Sequence, residues 1–390
     1  MPLLDVVAYP FVEVKIVPPP AAVATRSPGV VAVVGITPDG ASGGTAPVDA
    51  PRVVTSAGEA ATLFASRDAD GAVQRNALFD ALAVALLQDP PPAKVYGVRA
   101  AAGGYAAALR ALEGVDDVNF VSLARETEVD ALLLLKAHAE DVSAAGSPRI
   151  AVAMADPTQA PSQTWAADTL GALTGAGKVL RSDTGRMIVV AARAAGTAPD
   201  FATAAMAAIA GQPPHVSPVL KQVRGVAIPR ELGFSPTEIK ALAAEGIIPI
   251  IDPALIPGEG LFMADGGLFT TDARRPFVDI VRVLDDIQFR LRAGLIGTIG
   301  DARITKPGLT LVKLTAEGIV ANLRRQNVID GYTVTIPLLE LLSIPESART
   351  AADTQAITQA RATRGVDMVV AIIYGPQVHH LGVTLRMDFA

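Results

Sequence analysis

Apolar and polar residues alternate at the two ends of the chain. A period of two predicts strands with one apolar face. The apolar positions of these segments are Val12, Val14, Ile16, Leu381, Val383, Leu385, Met387 and Phe389. Pro18-Pro19-Pro20 follows the first segment, and Gly375-Pro376 precedes the second. We therefore expect two extended arms joined to the body by proline-containing links, at residues 1–22 and 375–390.

Residues 23–252 alternate between short apolar runs and amphipathic segments. The predicted strands are Val30–Gly35, Lys94–Val98, Val118–Leu123, Arg149–Ala155, Met187–Ala192 and Ile247–Ile251. The predicted helices are Asn76–Gln88, Val129–Ala144, Ser162–Leu173, Phe201–Ala210 and two that begin at the capping-box patterns of Ser56 and Ser235. This alternation predicts an outer α/β domain with mostly parallel strands.

Residues 253–275 are rich in Gly, Pro and turn residues, and we place a domain boundary there. The segments predicted beyond it are the helices Pro276–Ile296, Leu309–Gln326 and Ala348–Ala362, and the strands Tyr332–Ile336 and Met368–Tyr374. In the long first helix, Val278, Val281, Leu284, Ile287 and Leu291 are expected to face inward. Residues 253–374 thus form a second, mixed domain, and the predicted fold class is α/β (α+β overall).

The composition excludes several classes of protein. Half of the 390 residues are hydrophobic and 18% are charged, which is typical of a folded globular chain. The net charge of −6 leaves no broad basic surface for nucleic acid, and Arg324-Arg325 is interpreted as an ordinary solvated helix face. With no cysteine, disulfides and thiolate metal sites cannot form, and a reducing compartment suits the chain.

The sequence gives no sign of secretion or of membrane insertion. Residues Met1–Tyr9 lack the basic start and cleavage site of a signal peptide. The mean hydropathy is +0.38, but prolines interrupt both long charge-free stretches, Phe201–Leu220 and Met368–Leu385. We attribute the excess hydrophobicity to a large core and to buried subunit contacts.

We searched for catalytic motifs and predict no catalytic, cofactor-binding or metal site. Phosphate-loop, dinucleotide and nucleophile-elbow patterns are absent, and the glycines of Gly171–Gly177 have the wrong spacing. His379 and His380 would point to opposite faces of an extended segment, and His138 is expected at the surface. Asp116-Asp117 and Asp252 are interpreted as turn residues, although Asp252 follows a strand where α/β enzymes place active sites.

Charged residues lie along the predicted helix 276–296. The adjacent carboxylates of Asp285 and Asp286 diverge by about 100°, which is poor geometry for shared acid–base chemistry. Arg282, Asp286 and Arg290 belong either to a solvated, salt-bridged face or to a face that matches the charges of a partner protein. The sequence leaves both interpretations open.

The two terminal strands carry the strongest functional signal. A strand with unpaired backbone groups is a template for pairing, either with the other arm of its own chain or with neighbouring chains. Exchange between neighbours in a head-to-tail contact that does not close would build a helical array. The proline-containing links would let the bodies rotate while these joints persist.

Several segments, in order along nearly the whole chain, resemble the contractile-tail sheath family of bacteriophages and related bacterial injection devices. The segments are Pro28–Gly35, Thr55–Phe64, Glu238–Ile250 (EIKALAAEGIIPI), Gly260–Thr271, Pro276–Arg292, Leu309–Val334 and Val378–Phe389 (VHHLGVTLRMDF). Each is a loose match, and the specificity lies in their order. Alternatives from other classes are a Rossmann-like α/β enzyme and a non-contractile structural or adhesion protein.

The resemblance implies a structural subunit that polymerises helically around a tail tube. It implies an inner domain that faces the tube, with Arg282, Asp286 and Arg290 as tube-facing candidates, and an outer α/β domain. The implied partners are other sheath subunits in stacked hexamers, the tube protein, and the baseplate and tail terminator proteins. The implied location is a virion tail assembled in the cytoplasm of a host bacterium.

On this resemblance the chain is a structural assembly protein and not an enzyme, and no cofactor is expected. The contraction of such a lattice would be driven by contact area gained between subunits.

Overall fold

The fold is taken from a computed structural model, which describes residues 29–38, 43–68, 70–175, 177, 179–253, 256 and 260–379. The described residues form two compact units. The first, called the α/β unit, holds residues 29–289, 327–331 and 373–379, and the second, called the C-terminal unit, holds residues 290–326 and 332–372. The predicted arm positions from Val12 to Ile16 and from Leu381 to Phe389 lie outside the described residues.

Strands and helices alternate through most of the α/β unit, as the sequence predicts. Its strands are β1 (Val30–Ile36), β2 (Arg52–Val54), β3 (Ser66–Arg67), β4 (Val73–Gln74), β5 (Lys94–Ala100), β6 (Phe120–Leu123), β7 (Ile150–Met154), β8 (Met187–Ala191), β9 (Gln222–Val223), β10 (Ile247–Ile251) and β11 (Leu261–Met263). Its helices are α1 (Ala57–Phe64), α2 (Ala77–Leu86), α3 (Ala106–Glu113), α4 (Val129–Ala144), α5 (Trp165–Thr174), α6 (Phe201–Gly211) and α7 (Pro236–Ala244).

Nine of the described strands form one sheet in the order β2-β5-β1-β6-β7-β8-β10-β11-β9. The six central strands are parallel, and β2, β11 and β9 pair antiparallel at the two ends. In the centre, Val31 of β1 lies beside Val95 of β5 and Phe120 of β6. Central parallel strands are covered on both faces, which explains why they appear in the sequence as continuous apolar runs. The prediction of a mostly parallel α/β sheet is confirmed.

Helices cover both faces of this sheet. Val31 and Val33 of β1 point toward the layer that contains α1, α2 and α6. Val30, Ala32 and Val34 point toward the layer that contains α3, α4 and α5. Successive side chains of a strand face opposite ways, so one apolar run supplies both cores.

Helix α6 explains one of the two charge-free stretches. Every residue from Phe201 to Ala210 is buried, and most are alanine. Small side chains let this helix pack closely against α2 and the central strands, where it forms part of the core. Among the helices of the described residues, none has the length and apolar character to cross a membrane.

Local capping chemistry starts the helices where the sequence predicts. The side chain of Ser235 accepts a hydrogen bond from the Glu238 backbone, and Glu238 accepts one in return from the Ser235 backbone. Ser56 also caps α1, but the carboxylate of Glu59 accepts from Thr55 instead of closing the box on Ser56. Each cap satisfies amide groups that the first helical turn leaves unpaired.

The α/β unit extends as far as Phe289, so the boundary predicted at residue 253 lies inside it. The reason is strand β11, which pairs antiparallel with β10 and with β9. Helix α8 (Val278–Leu295) then begins in the α/β unit and ends in the C-terminal unit.

Both edges of the large sheet are short. Strand β2 has three residues and β9 has two. Short edge strands offer few unpaired backbone groups to another chain. The large sheet is therefore poorly suited to edge-to-edge pairing.

The C-terminal unit is mixed, as predicted for this part of the chain. Beyond α8 it contains α9 (Lys306–Arg325), β12 (Gly331–Thr335), α10 (Pro337–Ser343), α11 (Ala351–Thr363) and β13 (Val369–Ile373). Its small core contains Leu309, Ile336, Leu338, Leu342 and Ile357. Thr350 and Asp353 form a capping box at the start of α11. Arg324 and Arg325 are exposed at the end of α9, as predicted.

The prediction that His138 lies at the surface is wrong. His138 is buried on α4, and its Nε2 atom lies 3.0 Å from Nη1 of Arg149. The guanidinium of Arg149 also donates to the carbonyl oxygens of Leu112 and Val115 at the end of α3. The charged neighbours Glu140 and Asp141 suggest a solvated stretch, but the histidine faces inward because it accepts from this buried arginine.

We expect His138 to make stability depend on pH. Burial, and then the Arg149 charge, lower the pKa of His138 from 6.5 to about 4, so between these values only the unfolded chain takes up this proton. Lowering the pH from 7 to 4.5 should cost roughly 2–3 kcal/mol through this residue. The measurement is urea unfolding at both pH values for the parent and for His138→Gln, which keeps an acceptor for Arg149. The variant should lose less stability on acidification, and equal losses in the two proteins would contradict this assignment.

Candidate assembly surfaces

The two-stranded sheet of β12 and β13 is open to solvent. Val369, Ala371 and Ile373 share one face of β13, and Val369 and Ile373 are 56% and 65% exposed. An isolated pair of strands is marginally stable in water, and each unpaired edge can accept another strand. This sheet is therefore the part of the described chain best suited to receive an extended segment.

The segment after β13 lies against the α/β unit. The Tyr374 hydroxyl donates to Oδ2 of Asp279 over 2.6 Å, and burial followed by this carboxylate raises the pKa of Tyr374. Farther along, Nε2 of His379 lies 2.9 Å from Oγ of Ser217, and its ring meets Phe277 edge to face. The predicted arm, residues 375–390, thus begins with contacts to its own α/β unit, and its remaining residues, 380–390, lie outside the described residues.

The residues that receive this segment carry no recognisable signal in the sequence. His215 and Ser217 lie in a proline-flanked loop and belong to no motif. They are 160 or more positions away from the residues that they contact. No local pattern could have joined two segments so distant in the chain.

Arg282, one of the three predicted tube-facing residues, lies inside the α/β unit. It is 5% exposed and donates to the carbonyl oxygens of Gln212 and Pro213, just beyond the end of α6. Its guanidinium also lies over the ring of Phe120, and burial lowers the pKa of Arg282 to about 10. In this structure the side chain has a structural role within the unit.

The other two predicted residues of α8 are partly accessible. Asp286 and Arg290 are both half-buried. Their neighbour Asp285 forms a two-pronged ion pair with Arg186, with separations of 2.6 and 2.9 Å. This pairing gives Asp285 a structural role within the α/β unit.

The residues considered for catalysis do not converge on a reactive arrangement. Asp117 pairs with Lys94 and accepts from Tyr96, while Asp252 is exposed. Within the described ranges, no group of three histidine or acidic residues could hold a metal ion.

Doubly wound sheets bind ligands beyond the carboxyl ends of the strands, where the strand order reverses, here between β1 and β6. The described residues at that point are held by internal contacts. Arg125 forms an ion pair with Asp80 over 2.8 Å, and its backbone donates to Asp200. Burial raises the pKa of Asp200, which caps α6 through Thr203. The raised pKa of Asp200 is thus explained by its buried, structural position as the N-cap of α6.

Comparison with known proteins identifies solved structures that share this architecture. No protein-family model matches the chain, and no curated protein matches it significantly. Solved structures do match from end to end. The helical sheath of the anti-feeding prophage (AFP) in its contracted state has a TM-score of 0.67 and 13% identity, covering 98% of this chain and 100% of that chain.

The chain has the fold of a contractile sheath subunit. A second structure, the contracted sheath complex of an extracellular contractile injection system (PVC), gives a TM-score of 0.68 and 14% identity, covering 98% of each chain. A chain of the six-fold symmetrised AFP baseplate gives 0.66 and 13%, covering 98% of this chain and 99% of that chain. The sheath fold thus spans both units. At 13–14% identity, the likeness is clear in the structures and weak in the sequences.

Proposed function

We propose that this protein is the structural subunit of a contractile sheath. It polymerises helically around a tube and contracts to drive that tube through the envelope of a target cell. The observation that carries this proposal is the end-to-end structural likeness, which covers 98% of the chain in the contracted AFP and PVC sheaths. A shared local motif or a common α/β layer would not align both units together.

The exposed sheet of β12 and β13 supports a polymeric role. Its apolar face and open edges suit the addition of strands from neighbouring copies. We propose that the terminal arms supply those strands. Each backbone hydrogen bond across such a joint contributes about 0.5–1.5 kcal/mol net, so several in each arm make a firm link.

We assign the inner, tube-facing role to the C-terminal unit together with the N-terminal arm, and the outer role to the α/β unit. The predicted inner domain, residues 253–374, contains the C-terminal unit, but its residues 253–289 belong to the α/β unit. Of the three candidates on α8, we propose Arg290 for contact with the tube, because it lies in the C-terminal unit, whereas Asp286 lies in the α/β unit and Arg282 is buried there. Complementary charges at this contact would fix register more than affinity.

The proposed partners are other sheath subunits in stacked hexamers, the tube protein, the baseplate and the tail terminator. The likeness to a chain of the AFP baseplate structure supports contact with a baseplate. We propose a location in a tail-like injection particle, which the likeness to the AFP and PVC sheaths supports, and assembly of that particle in the cytoplasm of a bacterium. The sequence resemblance also includes the virion tails of phages.

Electron microscopy of the purified protein tests this function. We expect negatively stained tubes of stacked rings, formed without nucleotide or metal. Monomers or closed rings under every condition would contradict the proposal and favour a non-contractile structural role. Specific stabilisation by a nucleotide in thermal unfolding would instead favour the Rossmann-like enzyme.

A further inference from the structure

Residues 374–379 are fastened to the α/β unit by side-chain contacts. We call this segment the C-terminal latch. Tyr374 donates to Asp279, and the amide of Gln377 bonds at both ends, accepting from the Ser217 backbone over 2.9 Å and donating to the His215 carbonyl. His379 completes the set through Ser217 and Phe277.

Two partners of the latch are buried residues of the α/β unit. Ser217 is 3% exposed, and its hydroxyl also accepts from the Val219 backbone. Asp279 is buried on α8. The latch therefore contacts side chains that are already packed within the α/β unit.

The latch can open without unfolding the unit. Residues 375–378 are exposed, and no residue of the latch belongs to a helix or strand. Its hydrogen bonds are few, and each adds only modestly to stability because it replaces a hydrogen bond to water. Such segments open locally at much lower free energy than the core.

We propose that the C-terminal latch positions the arm for strand exchange, by fixing the point at which residues 380–390 begin. This inference rests on the proposed sheath function and adds the residues that prepare the arm. Without the latch, the free tail would begin at the end of β13. Ordering each extra residue costs backbone conformational entropy, and a latched tail has met part of that cost before a neighbour arrives.

The test compares one double variant with a matched control. Gln377→Ala with His379→Ala removes the contacts to His215, Ser217 and Phe277. Val378→Ala, between them, changes a side chain that is 78% exposed. We expect the double variant to raise the protein concentration needed for tube assembly about 10-fold, which corresponds to about 1.4 kcal/mol. The control should assemble as the parent does.

A second readout does not depend on assembly. The chain has no cysteine, so Val378→Cys accepts a single nitroxide label. In the unassembled parent the label should give the broad spectrum of a restrained segment, and the Gln377/His379 variant should give a narrow one. A narrow spectrum in the parent would overturn the latch.

The remaining outcomes separate this inference from the proposed function. If the parent forms tubes and the double variant narrows the spectrum yet assembles at the same or a lower concentration, the positioning role is wrong while the sheath function stands. If the parent forms no tubes, the sheath function fails, whatever the spectra show.

Discussion

Deletion of residues 381–390 should abolish tube assembly and leave the body of the protein folded. The cores of both units are built from residues between Val30 and Ile357, so the deletion removes none of them. The strand that it removes would make several backbone hydrogen bonds to a neighbour at about 0.5–1.5 kcal/mol each. The concentration needed for assembly should therefore rise at least about 100-fold, since each 1.4 kcal/mol is a factor of ten.

Electron microscopy and light scattering across a concentration series would measure the loss of tubes, and circular dichroism and thermal unfolding would confirm the fold. Thr384→Ala, on the polar side of the predicted strand, is the matched control and should assemble. Normal tubes from the shortened chain would show that exchange of this strand does not hold the lattice together.

Replacement of Arg149 by methionine should be the most destabilising single change considered for the folded subunit. The side chain is 0% exposed and ties the end of α3 to α4 through Leu112, Val115 and His138. Methionine fills much of the volume but leaves buried carbonyl groups without this donor. Each unsatisfied carbonyl costs about 1–3 kcal/mol of stability. Removing a buried charge offsets part of the loss, and we expect a net decrease of roughly 2–4 kcal/mol in the free energy of unfolding.

Arg110→Met provides the comparison for Arg149→Met. Arg110 lies on α3 and is exposed, so its replacement should change stability by less than about 0.5 kcal/mol. Chemical unfolding of both variants gives the difference. Equal stabilities would show that the guanidinium of Arg149 contributes little beyond its packing.

Elements with a long uninterrupted run or a capping signal could be predicted from sequence, and short elements without such a signal could not. Helix α4 has the predicted bounds, Val129–Ala144, because none of its sixteen residues is a glycine or proline that would interrupt a helix. Helix α3 was missed because its cap position, Tyr105, makes no side-chain capping bond and gives no start signal. Strand β11 has no periodic pattern of its own, because its three residues form a strand through pairing with β10 and β9.

The orientation of α8 shows where hydrophobic periodicity fails. Leu284 was expected to face inward, but it is 43% exposed, whereas Arg282 is buried. Two residues along a helix turn the side chain by about 200°, so these positions face nearly opposite ways. The carbonyl groups of Gln212 and Pro213 receive Arg282, and they come from a loop that the helix sequence does not reveal.

The candidate assembly surfaces also depend on contacts between segments that are distant in the sequence. The apolar strand β13 could be predicted from its composition, but its exposure could not, because burial depends on what else the fold brings near. The latch likewise depends on Ser217, which is remote in sequence from His379.

The short edge strands of the large sheet have a consequence for newly synthesised subunits that have not yet assembled. With three residues in β2 and two in β9, two copies meeting side by side find few backbone groups to share. Newly synthesised molecules should therefore not associate readily through the edges of this sheet. In the proposed sheath, growth would then use other surfaces, and aggregation through the sheet edges would not compete with assembly.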